Sequence, residues 1–189
     1  MKVIKTDIEG VVIIEPKVFF DDRGYFYESF SQKEFNEKVQ PVNFVQDNQS
    51  MSSYGVVRGL HFQKPPYTQA KLVRCTKGMV LDVAVDIRKD SPTFGKYVAV
   101  VLSEDNHRQL FIPRGFAHGF SVLSDVAIFQ YKCDNFYNKD SDCGISLLDE
   151  SINIDWRINK ENMIISEKDL NYPKLIDSPC YFDIDNNIY

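Results

Sequence analysis

Short β-rich runs recur along most of the chain, and their close spacing is the feature that most constrains its fold. Scattered Pro and Gly residues punctuate the runs as turn residues do. The runs cover residues 10–15, 24–30, 43–50, 56–62, 70–75, 79–86, 96–102, 109–112, 119–123 and 127–134. This cadence predicts an all-β protein, built as an antiparallel sandwich or barrel.

The segment LDVAVDIR, residues 81–88, alternates apolar and polar side chains almost strictly. Such alternation is typical of a strand with one face in a core, because successive side chains point to opposite sides of a sheet. We therefore expect Asp82 and Asp86 to face away from the core.

Helix is scarce in the pattern. Ser31, followed three residues later by Glu34, resembles a capping box that opens a helix over residues 31–39, and residues 166–170 are expected to form a short turn. We find no repeat, low-complexity run or linker, so residues 1–189 are expected to form a single domain, a jelly roll with short peripheral helices.

The formal net charge of -5 disfavours general attraction to nucleic acid or to an anionic membrane surface. An anionic ligand must then meet cations placed locally. The apolar stretch at residues 11–14 is far too short for a signal-peptide core or a membrane span, so a cytoplasmic location is expected. The four cysteines, Cys75, Cys133, Cys143 and Cys180, form no CxxC pair and are predicted to be reduced thiols.

Two of the three histidines stand beside glycines at the ends of predicted strands: His61 in RGLHFQ and His118 in IPRGFAHGF. His107 lies in a polar stretch and is predicted to be a surface turn residue. The sequences around His61 and His118 resemble the two motifs of the cupin superfamily, which implies a double-stranded β-helix. In that superfamily the first motif usually supplies two histidines and a glutamate to a metal, and the second supplies one more histidine.

The first motif is altered in this chain. Gln63 takes the place of the second histidine, and Lys71 takes the place of the glutamate. A divalent metal needs three or four lone-pair donors, and a protonated lysine repels it. The altered motif predicts a pocket with no metal and no other cofactor, in which Lys71 would stabilise negative charge that develops on oxygen.

Longer blocks resemble the dTDP-4-dehydrorhamnose 3,5-epimerases, in order, over residues 19–169. They are DDRGYFYESF, FVQDNQSMSSYGVVRGLHFQ, QAKLVRC, KGMVLDVAVDIRKDSPTFGKY, IPRGFAHGF, YKCDNFY and SEKD. The resemblance implies an epimerase that inverts both carbons beside the ketone of a dTDP-linked 4-keto-6-deoxyhexose, giving the L-sugar precursor of rhamnose.

The resemblance also implies the roles of individual residues. His61 matches the base, Asp169 its carboxylate partner, Tyr131 the acid on the opposite face of the sugar, and Lys71 lies near the enolate oxygen. The positions that match substrate-binding residues are Arg23, Glu28, Gln46, Asn48, Arg58, His118, Tyr137, Asp142 and Lys168. Of these, Asp142 stands where the family commonly has the longer glutamate, and Tyr137 matches an aromatic residue that stacks on thymine.

Three alternatives stay open at the level of sequence. A single-site epimerase would share the base and the acid, a metal cupin would use His61 and His118 with Gln63, and an inactive cupin would only bind sugar. Open sheet edges and the family resemblance predict a homodimer. The tail from Tyr172 onward matches no family pattern that we can use.

Overall fold

The computed structural model describes residues 1–178, 182 and 183, and within them thirteen strands form two large sheets and one hairpin. The strands are β1 (Lys2–Lys5), β2 (Val12–Glu15), β3 (Phe19–Asp21), β4 (Gly24–Phe26), β5 (Gln46–Ser53), β6 (Val57–Gln63), β7 (Lys71–Lys77), β8 (Met79–Asp86), β9 (Tyr97–Ser103), β10 (Gln109–Ile112), β11 (Phe116–Val122), β12 (Val126–Cys133) and β13 (Asp142–Gly144).

The strand order is β1-β2-β10-β7-β12-β5 in the first sheet and β13-β6-β11-β8-β9 in the second, with β3 and β4 paired only to each other. All of these pairs are antiparallel. The fold is the predicted cupin-type jelly roll. Consecutive strands often lie in different sheets, which is why the chain crosses repeatedly between them.

Two short α-helices decorate the sheets, α1 (Gln32–Lys38) and α2 (Glu167–Leu170). Both begin after a serine cap, of which Ser31 was predicted: Ser31 accepts a hydrogen bond from the Glu34 amide, and Ser166 accepts one from the Asp169 amide. Single 3₁₀ turns lie at Lys139–Ser141, Lys160–Asn162 and Leu175–Asp177. Among the residues that the structure describes, neither α-helix has the length and apolar character needed to cross a membrane.

The main core lies between the sheets. Val73 and Phe129 from the six-stranded sheet pack there with Phe120 and Leu102 from the five-stranded sheet. Residues of the same strands that lie nearer one end of this space are polar and form the site described below. The interior of the jelly roll is thus divided between a packed apolar part and a cleft.

Both outer faces are partly covered as well. Leu81, Val83 and Val85 of β8 pack against Trp156 and other side chains of the stretch 145–156 on the far side of the five-stranded sheet. On the six-stranded sheet, Phe35 of α1 packs in a third apolar cluster. Because β8 is covered on both faces, its alternating pattern does not mark one buried and one solvent-exposed face, as was predicted.

The expectation that Asp82 and Asp86 face away from the core is wrong. Both carboxylates are fully buried between the sheets, while the apolar residues that alternate with them face the outer cluster. Asp86 accepts hydrogen bonds from Arg88, Ser91 and Thr93. Hydrogen bonds of this kind offset the desolvation of a buried carboxylate.

Three strands carried no usable signal in the sequence: β1, β3 and the three-residue β13. The run predicted at 24–30 ends at Phe26, and β11 begins at Phe116, three residues before the predicted start at 119. Cys75 and Cys133 are buried and Cys143 is half-buried, whereas Cys180 lies outside the described residues.

Candidate functional site

A cleft of about 320 Å³ opens at one end of the space between the two sheets. Alternate residues of β5 and β12 point into it, because their neighbours in sequence face the opposite side of the sheet, and β6 and β7 supply further residues. Its lining is formed by Gln46, Asn48, His61, Phe62, Gln63, Gln69, Lys71, Tyr131, Cys133, Tyr137, Asp142 and Lys168. Eight of the residues implied by the resemblance therefore share one cavity.

His61 enters the cleft from β6 and is bonded to Asp169, the third residue of α2. The distance from His61 Nε2 to Asp169 Oδ1 is 2.7 Å, and the other carboxylate oxygen accepts a hydrogen bond from the Gly59 amide at 3.3 Å. These contacts lower the pKa of Asp169 despite its burial. Asp169 is thus a fixed anion next to an imidazole that is partly open to the cleft.

Gly59 makes this arrangement possible. Its φ of 137° lies in the region that favours glycine, and a Cβ there would be 2.7 Å from the Gly119 Cα of the neighbouring strand. The Gly59 amide can therefore lie close to Asp169 while β6 and β11 stay in contact.

Lys71 lies on the opposite wall, at the start of β7 in the six-stranded sheet. Its side chain is almost fully buried, and Nζ lies 3.5 Å from the His61 carbonyl oxygen. Burial lowers the pKa of Lys71, while the nearby charges of Cys133 and two carboxylates, Asp82 and Asp142, oppose that shift. A buried ammonium of this kind can stabilise an oxyanion strongly because little water screens it.

Tyr131 projects from β12, between Asn48 of β5 and Val73 of β7 in the register of the sheet. Burial raises the pKa of its hydroxyl to about 12. Tyr131 therefore keeps its proton at neutral pH and can donate it. Since His61 belongs to the other sheet, a base and a proton donor stand on opposite walls of one cleft.

His118 lies behind His61, as its partner residue across β6 and β11. Its ring is buried and bonded through Nε2 to Asp82 Oδ2 at 2.8 Å, and burial lowers the pKa of His118. His118 is not among the residues that line the cleft. Sequence reasoning did not assign Asp82 to the site; the available signal was a pair of aspartates, Asp82 and Asp86, on one face of an otherwise apolar strand.

Gln63 is committed to the neighbouring loop. Its amide donates to the carbonyl oxygens of Tyr67 and Phe136, and its side-chain oxygen accepts from the Asn138 amide at 2.7 Å. The Gln63 side chain is therefore held by the loop through both its amide nitrogen and its oxygen. Within the described part of the chain, no three His, Cys, Asp or Glu side chains come together as a metal site would require.

The mouth of the cleft is polar. Lys168 Nζ and the Tyr137 hydroxyl both donate to Asp142 Oδ2, and the contact with Asp142 raises the pKa of Lys168. The backbone amide of Tyr137 donates to Gln46 Oε1 at 3.1 Å, and Gln46 donates in turn to Asn48. The ring of Tyr137 is exposed, so a flat ligand can reach its face.

Besides Asp169 and His118, three residues implied by the resemblance do not line this cleft. Arg58 is exposed on β6 and donates a hydrogen bond to Ser52. Its charge is near enough to Tyr131 to lower the pKa of the phenol, although burial raises that pKa by more. Arg23 has a side chain that is 90% exposed in the turn between β3 and β4, where it pairs with Asp21. Glu28 borders a different, small cavity next to α1.

His107 lies in a turn, as predicted, but it is not a simple surface side chain. Its ring is 4.8 Å from that of Tyr25 and 5.1 Å from that of Tyr27, measured between centroids. His107 therefore supports the base of the β3–β4 hairpin.

Tyr172 is a further residue that contacts the site, and no pattern in the sequence predicts it. Its ring meets the imidazole of His61 edge to face, at 5.7 Å between centroids. The residue lies two positions after the end of α2, in the tail for which no family pattern was found.

Comparisons with known proteins show which proteins this chain is similar to. A family profile described as dTDP-4-dehydrorhamnose 3,5-epimerase matches residues 5–177. The chain is 60% identical over 182 residues to the dTDP-4-dehydrorhamnose 3,5-epimerase of Shigella flexneri, covering 96% of this chain and 99% of that one. It is 61% identical over 170 residues to the enzyme of the same name from Escherichia coli K12, covering 89% and 91%.

A solved structure shows the same likeness in three dimensions. It is the dTDP-6-deoxy-D-glucose-3,5-epimerase of Legionella pneumophila in complex with dTDP-4-keto-L-rhamnose, at 46% identity. The TM-score is 0.94, and the match covers 98% of this chain and 99% of that one.

Proposed function

The chain belongs to the dTDP-4-dehydrorhamnose 3,5-epimerase family, and we propose that His61 is the base with which it carries out this reaction. The enzyme inverts C3 and C5 of dTDP-4-dehydro-6-deoxy-D-glucose and gives dTDP-4-dehydro-L-rhamnose. The observation that carries the assignment is the 2.7 Å contact between His61 and Asp169 in a cleft faced by Tyr131 and Lys71.

His61 has the geometry of a base. A proton on Nε2, donated to Asp169, leaves the lone pair on Nδ1, which has no hydrogen-bond partner among the described residues. The neighbouring carboxylate stabilises the imidazolium that forms when Nδ1 accepts a proton. The 4-keto group of the substrate acidifies the hydrogens on both adjacent carbons, so the same base can act at C3 and at C5 in turn.

Lys71 supports the intermediate. Removal of a proton beside the ketone moves an electron pair onto the ketone oxygen, which becomes an enolate. The buried ammonium of Lys71 stabilises that oxygen and has little water to compete with it. Lys71 thereby performs the task that a metal performs in other cupins.

Tyr131 completes each inversion. It donates its proton to the planar carbon from the side opposite to His61, and the pair of electrons returns from the enolate to form the new C–H bond. The raised pKa of Tyr131, about 12, keeps the phenol protonated before this step. After each inversion, and so also between the two inversions of one turnover, His61 must release a proton and Tyr131 must regain one, through water in the open cleft.

The mouth of the cleft suits the nucleotide. We assign Tyr137 to stacking on thymine and Gln46 and Asn48 to polar contacts with the nucleotide, because all three line the cavity. Lys168 and Arg58 are the nearby cations for the diphosphate. Asp142 neutralises Lys168 in the absence of substrate, so an incoming phosphate would compete with it. For the buried His118, a substrate contact stays a prediction from the resemblance.

A homodimer is the proposed active form. The β3–β4 hairpin exposes Phe20 (74%) and Phe26 (71%) together with Tyr25, and such an apolar patch on a surface is typical of an interface. Arg23 and Glu28, expected to bind substrate, lie on or next to this hairpin and outside their own chain's cleft. A second copy that covers the patch would explain both facts. The cytoplasmic location stays a prediction.

Incubation with dTDP-4-dehydro-6-deoxy-D-glucose in deuterated water tests the reaction and its number of sites together. We expect deuterium to be incorporated at both C3 and C5, as measured by nuclear magnetic resonance. Exchange at one carbon only would indicate the single-site reaction. The absence of exchange at either carbon would overturn the proposed chemistry.

A further inference from the structure

Tyr172 contacts the proposed base from a direction that Asp169 leaves open. Asp169 holds His61 through one hydrogen bond along the Nε2–H direction. A single bond of this kind fixes one end of the imidazole but permits the ring to turn about the bond axis. The edge-to-face contact with Tyr172, with 66° between the ring planes, opposes that rotation.

Gly144 is what admits the ring of Tyr172. Gly144 is the cross-strand partner of His61 in the pairing of β13 with β6. A Cβ on Gly144 would lie 2.5 Å from Cε2 and 2.6 Å from Cζ of Tyr172, so any other residue would require the ring to move. The space that a side chain beside His61 would normally fill is thus occupied by a ring from the tail.

The backbone around Tyr172 is anchored on the stretch that follows β13. The Ser146 amide donates to the Pro173 carbonyl oxygen at 2.8 Å, and the Leu175 amide donates to Asp149 Oδ2 at 2.7 Å. On the other side, the Asn171 amide donates to the Lys168 carbonyl oxygen at the end of α2. One short stretch of chain therefore presents both Asp169 and Tyr172 to the same imidazole.

From these contacts we propose that Tyr172 is a positioning residue for His61, which holds the plane of the imidazole so that Nδ1 faces the cleft. The proposal rests on the assignment of His61 as the base. Tyr172 does not line the cleft, and its ring, not a proton transfer, performs this role. The ring also lies 5.8 Å from Lys168 Nζ, so its position is tied to the mouth of the cleft as well.

The contribution of the Tyr172 ring to kcat can be measured with three variants at this position. Tyr172→Phe keeps the ring, whereas Tyr172→Leu and Tyr172→Ala remove it. We expect Tyr172→Phe to retain kcat within about twofold and the other two to lose roughly 10-fold to 100-fold in kcat, since misplacement by about 1 Å can cost that much. KM and the dissociation constant of dTDP should change by less than about threefold, because the tyrosine is outside the cleft.

Gly144→Ala provides an independent route to the same displacement. The added methyl group pushes the ring away without removing it, and it should lower kcat by an amount similar to Tyr172→Leu. In the double variant Gly144→Ala, Tyr172→Ala the methyl group has no ring to displace, so we expect no further loss beyond Tyr172→Ala. Circular dichroism and thermal unfolding identify any variant that does not fold. If Tyr172→Ala does not fold, Tyr172→Leu, which retains apolar volume, replaces it in this comparison of single and double variants.

Two results would overturn the positioning role: a folded Tyr172→Leu variant with the kcat of the wild type, or losses from Gly144→Ala and Tyr172→Ala that simply add. Failure of the underlying assignment looks different. If His61→Asn keeps its activity, His61 is not the base, whatever the Tyr172 variants do.

Discussion

The cleft and the β3–β4 hairpin both carry residues that the family resemblance connects with the substrate, yet the fold treats them differently. In the cleft, His61 is fixed by pairing with Gly144 on one side and His118 on the other. In the hairpin, β3 and β4 pair only with each other, and every residue of both strands is exposed.

This difference suggests that the cleft carries the residues for the reaction, whereas the hairpin carries residues for subunit association. The proposed base and its carboxylate, together with the side chains of Lys71 and Tyr131, are held within one chain, by strand register and by α2. Arg23 is held only by its neighbour Asp21, on a hairpin whose aromatic side chains face outward. Substitutions in the cleft should therefore reduce kcat, while substitutions in the hairpin should change binding and subunit association.

His61→Asn should have the largest effect. Loss of the base is expected to lower kcat roughly 1,000-fold, within the range that general base catalysis contributes. Calorimetry should show nearly unchanged binding of dTDP, because the residues proposed for the nucleotide are elsewhere in the cleft. His107→Asn is the matched control, since that histidine contacts the hairpin, and its kcat should stay close to that of the wild type. Comparable losses of kcat in the two variants would contradict the proposal that the cleft, and not the hairpin, carries the reacting groups.

Lys71→Met should come next. Removal of the ammonium that faces the enolate is expected to cost roughly 100-fold in kcat, as does the loss of one donor from an oxyanion site. Lys77→Met at the exposed end of the same strand is the control, and it should leave kcat unchanged. A metal-dependent rescue of Lys71→Met, or a loss as large in Lys77→Met, would contradict the role given to this lysine.

Much of this division could be predicted from the sequence. The period-two strands and the two glycine-rich histidine motifs were sufficient for the jelly roll, and the altered first motif pointed to Lys71, which lines the cleft. The partner of His61 could be named only by resemblance, because Asp169 is 108 residues away and no local pattern links them. The fold supplies that link through a cap serine and a single turn of helix.

Other parts could not be predicted, for physical reasons. The alternation in β8 predicts one solvent-exposed face, because the segment that covers the apolar side of the strand, within residues 145–156, has no strand pattern of its own. Tyr172 reaches His61 only because the partner residue across the sheet is Gly144, and β13 is too short to be found from sequence. For Arg23, a sequence motif cannot specify which copy's cleft a residue serves.

The alkaline limb of the pH profile offers a finer test of the cleft. Burial moves the pKa of Lys71 downward from 10.5 and that of Tyr131 upward to about 12, so Lys71 loses its proton first as the pH rises. We expect kcat to fall about tenfold per pH unit above a pKa lower than 10.5, the usual behaviour when one protonated group is required. Tyr131→Phe, although slower, should keep this limb at the same pH. A limb that disappears in Tyr131→Phe would instead assign it to the phenol.

The hairpin should give the smallest effect on turnover. In the double variant Phe20→Ser, Phe26→Ser, two large apolar side chains leave the exposed patch, and light scattering should show a shift from dimer toward monomer. Since the base and the electrophile stay in place within each chain, kcat at saturating substrate should change by less than about threefold. KM should rise several-fold if Arg23 on the same hairpin serves the second copy's cleft.

Comparison with Arg23→Ala decides whether the hairpin affects KM through its apolar contacts with a second copy or through the charge of Arg23. If Arg23 binds the diphosphate across the interface, Arg23→Ala should raise KM several-fold while the protein stays dimeric, and Lys33→Ala on α1 should leave KM unchanged. If the dimer persists with unaltered KM in both hairpin variants, Arg23 has no part in binding. A kcat loss in either variant as large as that of His61→Asn would mean that the hairpin shapes the cleft directly, because only a change at the reacting groups reduces turnover of bound substrate so far.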